Sequence, residues 1–154
     1  MILAAGLGLR MRPLSDHRAK PALPVLGRPV ISLLLELLAR CGVREVLINL
    51  HHLPSSIRDA VEADHPAALD LTWSIEDAPL GTGGGIRRAA DFLRGTDDCL
   101  VLAGDMLLDL DLPTLCARHR ASGRDVTLVL RDDPRTETFG SIGLDAAGRV
   151  VRIG

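Results

Sequence analysis

Met1-Ile2-Leu3-Ala4-Ala5 runs straight into Gly6-Leu7-Gly8-Leu9-Arg10-Met11-Arg12-Pro13, and this junction decides the fold. The first five residues are apolar and suit a buried strand. The glycines then end the run abruptly, which marks the carboxyl end of that strand as the start of a loop. The Gly/Arg/Pro-rich stretch continues to Pro29, too long for an ordinary connection. Its apolar residues Leu14, Leu23, Val25 and Leu26 imply that it packs down, so a functional loop is expected.

Outward from that loop, strand and helix patterns alternate. Residues 29–40 place leucines at helical spacing, with Pro29 suited to a first turn and Gly42 placed to end the helix. Residues 43–50 read as a buried strand. Residues 54–64 read as a helix with Ile57, Ala60 and Val61 on one face, and residues 69–75 as an alternating strand. A helix over 84–93, a strand over 99–103, a helix over 113–121 capped by Asp111 and a strand over 126–130 follow. Strands alternating with helices pair in parallel through right-handed crossovers, so the expected class is α/β: a Rossmann-like, mostly parallel sheet with helices on both faces. The end of the chain changes character. Residues 139–144, the turn at 145–148 and residues 150–153 resemble a hairpin with no closing helix after it, so residues 1–154 are expected to be one domain truncated at its C-terminus.

Composition excludes several classes. A chain of 154 residues buries about 68–70% of its unfolded surface and needs no disulfide or structural metal. With 47% hydrophobic and 25% charged residues it is neither disordered nor fibrous. A net charge of −2 gives no field to gather nucleic acid, and 2% aromatics leave few rings for base stacking. The apolar run at 30–39 is broken by Ser32 and Glu36, and it is too short to span a membrane. Cys41, Cys99 and Cys116 lack metal-ligand spacing and are expected to be buried small hydrophobes in a reducing compartment. With no basic leader or small-residue cleavage site at the start, a soluble cytoplasmic protein is expected.

In a parallel sheet, ligands bind beyond the carboxyl ends of the strands. Three loops fall there: residues 4–20, 78–85 and 104–109. In the first, Gly6 and Gly8 allow backbone N–H groups to approach phosphate oxygens, and Arg10 and Arg12 add guanidinium donors. The pattern is neither a dinucleotide fingerprint, because Met11 stands at the third glycine, nor a P-loop. Taken alone it also fits an exposed turn with two arginines. Lys20, however, is the one lysine beside 17 arginines, and Pro21 holds it. A compact ammonium is a suitable point charge for a phosphoryl group in transfer. Asp105 follows the apolar Leu100-Val101-Leu102-Ala103 and Gly104, which aims it at the sheet's carboxyl edge. It suits either a turn or a magnesium ligand. Asp109 and Asp111 fit capping and solvation equally well. Gly81-Thr82-Gly83-Gly84-Gly85 has more glycines than a plain turn needs. His51-His52 and the run 131–135 read as surface features, and Arg87 and Arg88 as facing solvent, though the helix start places them near any bound nucleotide.

Together these segments carry a resemblance. Residues 3–15, then Lys20-Pro21-Ala22-Leu23-Pro24-Val25 and Gly27-Arg28-Pro29, then Pro79-Leu80-Gly81-Thr82-Gly83-Gly84-Gly85 and Gly104-Asp105, resemble in order the sugar-1-phosphate nucleotidylyltransferases, the NDP-sugar pyrophosphorylases. Several ordered motifs are more specific than any one alone. The glycine form is similar to that of N-acetylmuramate-1-phosphate uridylyltransferases and of mannose- and heptose-1-phosphate guanylyltransferases.

The resemblance implies a fold of the nucleotide-diphospho-sugar transferase type. It also implies transfer of a nucleotidyl group from a nucleoside triphosphate to a sugar-1-phosphate, with pyrophosphate leaving. It assigns Arg10 and Lys20 as catalytic residues. Leu3, Ala4, Ala5, Gly6, Gly8, Pro79, Gly81, Thr82, Gly83 and Gly84 would be nucleotide-binding, and Asp105 a ligand to Mg²⁺. Pro79 stands where pyrimidine-selecting relatives often carry glutamine, which leaves the base open. Ala19 replaces the proline that usually precedes the lysine, which is expected to loosen the loop. Partners would be the two substrates, with no nucleic acid or membrane, and a homo-oligomer is compatible with the pattern. A catalytically silent sugar-nucleotide-binding regulatory module and a cytidylyltransferase acting on a phosphorylated alcohol remain as alternatives.

Overall fold

The apolar opening forms β1 (Ile2–Leu3), and the loop after it carries the one-turn α1 (Leu14–His17) and the hairpin β2 (Pro24–Val25) and β3 (Arg28–Pro29). Next come α2 (Val30–Arg40), β4 (Glu45–Leu50), α3 (Pro54–Ala63), β5 (Asp70–Ile75), α4 (Gly81–Arg88), α5 (Ala90–Leu93) and β6 (Leu102–Ala103). The chain closes with α6 (Leu112–Ser122), β7 (Ile142–Leu144) and β8 (Val150–Ile153). These elements belong to a computed structural model that describes residues 1–134 and 140–154. They divide into two units, Met1–Leu110 and Asp111–Gly154.

In the first unit four strands lie in the order β5-β4-β1-β6, all parallel. Ile2 is in register with both Ile48 and Leu102, and β4 matches β5 from Glu45 opposite Asp70 to Leu50 opposite Ile75. β4 is buried from Val46 to Leu50, on both faces, as a central parallel strand requires. Alternation sorts the two layers. Leu47 packs with Met1 and Ala89, surrounded by Leu3, Ile86, Phe92 and Leu93, which places α4 and α5 on one face. Val46, Ile48 and Leu50 point the other way, toward the layer made by the buried stripes of α2 (Ile31, Leu34, Leu35) and α3 (Ile57, Val61). Each such aliphatic side chain contributes about 1.5–3 kcal/mol on burial.

The stop signal of α2 acts as read, while its start lies one residue later than expected. Gly42 ends the helix with φ 81, its N–H on the Ala39 carbonyl, and the Val43 N–H reaches back to Leu38. Pro29 lies just outside the helix as its N-cap.

Three expectations are corrected. Residues 126–130 form no strand: their side chains are largely exposed and no ladder satisfies them, so β-branched composition without a partner edge leaves them unpaired. The strand expected over 99–103 shrinks to Leu102–Ala103, because its partner β1 is itself only two residues long. The single helix expected over 84–93 is two, α4 beginning already at Gly81, so that the glycines lie inside its first turns, and α5 following after Ala89. The cysteines also differ from expectation: Cys99 is exposed, while Cys41 and Cys116 are half-buried.

In the second unit Asp111 caps α6 as expected, accepting from the Thr114 N–H at 3.0 Å and from its hydroxyl at 2.7 Å, and both bonds lower its pKa. β7 and β8 pair antiparallel around the Asp145 turn, where one carboxylate oxygen accepts from the Ala147 and Arg149 amides. Phe139, expected in that hairpin, and Arg135 of the charged run lie outside the described residues. Among the described residues no helix is long and apolar enough to cross a membrane.

Candidate functional site

The site is built at the carboxyl edge of β1. The Leu3 carbonyl accepts from Gly104 N–H at 2.8 Å, and a Cβ at Gly104 would stand 3.0 Å from that oxygen, so glycine lets β6 approach closely and deliver Asp105. The Ala4 N–H is held by Asn49 Oδ1 at 2.7 Å. Beyond it the backbone is open: none of the amides of residues 5–8 donates a hydrogen bond among the described residues. Gly8 then turns the chain with φ 65, and its carbonyl collects the Met11 N–H at 2.8 Å and the Ser15 hydroxyl at 2.9 Å. A side chain there would press on Ser15 and Lys20 at 3.2 and 3.3 Å.

Lys20 opens a tight turn over Lys20–Ala22 whose Pro21 and Ala22 are buried. Its ammonium forms an ion pair with Asp105, each side chain about a third exposed. Ala19 does not loosen this segment. It is fully buried, and its N–H donates to Ser56 Oγ at 2.9 Å, a bond that a proline could not make. The following hairpin is fastened by Arg28, which donates to both Asp64 oxygens at 2.9 and 3.0 Å and to Glu36 at 2.6 Å. These bonds raise the Arg28 pKa. The Gly27-Arg28-Pro29 motif is thus a brace between the loop and α2 and α3.

A cleft of about 490 Å³ lies over this edge, within the range of small-molecule sites. Leu3, Ala4, Gly6, Gly8, Arg10, Lys20 and Asp105 line it together with the apolar Leu7, Leu9, Met11 and Pro21. Ala5 sits in the same loop without lining it, and Arg12 pairs with Asp16 at 3.0 Å. Pro79, Gly81, Thr82, Gly83 and Gly84 do not line the cleft; they lie at the start of α4. His51 and His52 are not surface residues but half-buried ones whose rings meet the Glu76 and Ser15 carbonyls at 2.9 and 2.7 Å. Among the described residues no group of three or more His, Cys, Asp or Glu is placed to hold a metal.

One buried contact lies outside every motif above. Asn49 donates from Nδ2 to Glu76 Oε1 at 2.8 Å, and both residues are nearly fully buried. The signal was there, since Asn49 is the polar interruption in Val46-Leu47-Ile48-Asn49-Leu50.

A parallel sheet carrying a glycine-rich loop, a lone lysine and an aspartate at its carboxyl edge is the arrangement of a nucleotide-handling α/β protein. The family model for nucleotidyl transferases matches residues 1–154, and the chain belongs to that family. It is 37% identical over 153 residues to the mannose-1-phosphate guanylyltransferase of Mycobacterium tuberculosis, covering 98% of this chain and 42% of that protein. The N-acetylmuramate alpha-1-phosphate uridylyltransferase of Neisseria meningitidis is 43% identical over 112 residues, 72% of this chain and 48% of that one. The crystal structure of HddC from Yersinia pseudotuberculosis complexed with GMP-PN superposes with a TM-score of 0.77 at 29% identity, covering 99% of this chain and 66% of that one. The chain therefore spans less than half the length of these two curated relatives.

Proposed function

We propose that this chain is the nucleotide-gripping portion of an enzyme that transfers a nucleotidyl group from a nucleoside triphosphate to a sugar-1-phosphate. One observation carries the reading: the loop with the undonated amides of residues 5–8 runs along the same cleft as Arg10, Lys20 and Asp105. Bare amides and cations on one wall are what a triphosphate requires. The relatives acting on mannose-1-phosphate and N-acetylmuramate-1-phosphate support the acceptor class.

In this reaction an oxygen of the sugar phosphate attacks the α-phosphorus in line. The new O–P bond forms as the bond to the bridging oxygen of the β-phosphate breaks, and pyrophosphate carries the charge away. The nucleophile arrives ionised, so no protein base is needed and catalysis is positioning and charge neutralisation. Lys20, preplaced by Asp105, faces the phosphate oxygens at the reacting centre, Arg10 holds the leaving pyrophosphate, and the amides of residues 5–8 orient the nucleotide.

Mg²⁺ fits this donor set. A single accessible carboxylate is too little for a self-sufficient site, but it suits an ion that takes one or two carboxylates and completes its shell with substrate phosphates and water. Asp105 would hold it, and the ion would offset phosphate charge. This reading takes the cytoplasm as the compartment, since a reducing milieu suits the free cysteines Cys41, Cys99 and Cys116, and light scattering tests whether the chain forms a homo-oligomer.

The test is pyrophosphate release by the natural full-length chain, with four nucleoside triphosphates against several sugar-1-phosphates in Mg²⁺. One pairing should turn over well above the rest. Tight nucleotide binding without release in any pairing would make the protein a silent binding module instead.

A further inference from the structure

The loop over the cleft and the glycine-rich start of α4 leave different strands, β1 and β5, yet one buried pair joins them. Asn49, on β4, uses both ends of its amide: Oδ1 accepts the Ala4 N–H at 2.7 Å and Nδ2 donates to Glu76 Oε1 at 2.8 Å. Glu76 uses both carboxylate oxygens, and its Oε2 accepts the N–H of Leu80, the N-cap residue of α4, at 3.1 Å. Its own N–H is fixed to the Leu50 carbonyl at 2.7 Å. Helix α4 lies directly against the pair because position 85 has no side chain. A Cβ there would stand 2.8 Å from Asn49 Nδ2 and 3.1 Å from Glu76 Oε1. Asn49 is 2% and Glu76 3% exposed, so neither reaches solvent or a ligand in the cleft directly.

An apolar pair would fill this space but would leave the N–H groups of Ala4 and Leu80 without these acceptors. What the polar pair adds is direction. It aims the Ala4 amide inward, which sets the path of residues 5–8, and it fixes the first turn of α4 to the same frame. We infer that Asn49 and Glu76 are positioning residues that lock the phosphate-gripping loop and the glycine-rich start of α4 into one rigid jaw, so that both meet a single nucleotide. The inference rests on the proposed function for its ligand, but the linkage itself is independent of it.

The relay has a polarity that can be reversed. Asn49→Asp keeps the acceptor for Ala4 but sets two carboxylates face to face. Glu76→Gln leaves a donor facing a donor. With both substitutions combined, the carboxylate at position 49 accepts from Ala4 and from the amide at position 76, whose oxygen still accepts from Leu80, and every bond is restored. Each single variant of the full-length chain is expected to raise the KM for the nucleoside triphosphate about tenfold or more, the scale of one lost buried hydrogen bond, with kcat changed less. The double variant should return KM to within about threefold of the parent. Amide exchange, read without nucleotide, should show Ala4 and Leu80 losing protection together in either single variant and regaining it together in the double.

Single variants that keep the parental KM, or a double variant no better than the singles, would overturn the inference. A parent that binds no nucleotide would instead refute the proposed function. The exchange experiment then decides the linkage alone, and independent exchange at positions 4 and 80 would refute it.

Discussion

Lys20 and Asp105 stand 85 positions apart in the sequence and meet in an ion pair that lines the cleft. With each side chain about a third exposed, the pair adds only about 0–1 kcal/mol to stability, so its placement matters for charge at the site. Lys20→Ala should lower kcat by about a hundredfold or more, the scale of removing one preorganised transition-state contact. Nucleotide affinity, which the proposed function gives to the loop amides and Arg10, should change far less, and the melting temperature should barely move. Steady-state kinetics with calorimetric titration of the productive nucleotide checks it, and equal parental and variant kcat would remove Lys20 from the mechanism.

Asp105→Asn keeps the shape of the side chain and removes its charge. The variant should need a much higher Mg²⁺ concentration for half-maximal pyrophosphate release, about tenfold or more, since a neutral amide is a poor ligand for a hard cation. A magnesium titration at saturating nucleotide separates this from a folding defect, because the variant's melting temperature should stay near the parent's.

The glycines of α4 divide by what surrounds them. A Cβ at Gly85 would meet the buried Asn49 amide at 2.8 Å, so Gly85→Ala should destabilise by about 1–3 kcal/mol through overpacking. A Cβ at Gly83 meets nothing within 4 Å, and alanine favours the helix, so Gly83→Ala should stabilise by about 0.5–1 kcal/mol. If its bare backbone lies against the nucleotide, the same change should weaken nucleotide binding. Urea unfolding read beside nucleotide titration distinguishes the two positions, and shifts of the same sign would contradict this division.

Much of the fold was legible because its signals are local. The apolar run at residues 1–5, the buried stripe of α2 and the Gly42 stop need no knowledge of distant chain. What failed needed a partner. Residues 126–130 have strand composition, but pairing is decided by an edge elsewhere in the chain. The glycines at 81–85 resemble a loop until Asn49 and Glu76 show that Gly85 must pack inside a helix. At the site, the ordered motifs pointed to the loop, Lys20 and Asp105. The polar break at Asn49 signals a buried partner, but the Asn49–Glu76 bond spans 27 positions and matches no motif, so the sequence does not name which one. Ala19 went the other way: a missing proline suggested slackness, and the fold turned the freed amide into an anchor on Ser56.

Leu26, expected to pack down with its loop, is instead fully exposed at the tip of the β2–β3 hairpin with φ 50, a left-handed conformation that a branched aliphatic residue adopts at a cost. It gains nothing from burial to offset that cost. Leu26→Asn, which tolerates this region and can bond its own backbone, should therefore stabilise the protein by about 0.5–1 kcal/mol. An unchanged or lowered urea midpoint would overturn this prediction.

Glu36 sits between two guanidinium groups, and hydrogen bonds from Arg28 first and then Arg40 hold its carboxyl below the ordinary glutamate value. The sign of the linkage follows. In acid the unfolded chain takes up a proton at Glu36 that the folded chain resists, so this contribution is present near neutrality and is lost as pH falls below the ordinary glutamate range. Arg28→Ala removes the larger cause, and the brace to Asp64 with it. The variant should be less stable than the parent at neutral pH, and the gap should narrow as pH falls from about 7 to about 3. Asp111 and Asp145 are also held low by their own hydrogen bonds, so both proteins still weaken in acid, and the difference between them is the quantity to follow. Arg87→Ala, on the exposed face of α4, removes the same charge without the brace and serves as the control. A parent-minus-variant stability difference that stays flat across this range, or that the control reproduces, would mean that Glu36 does not carry the acid sensitivity.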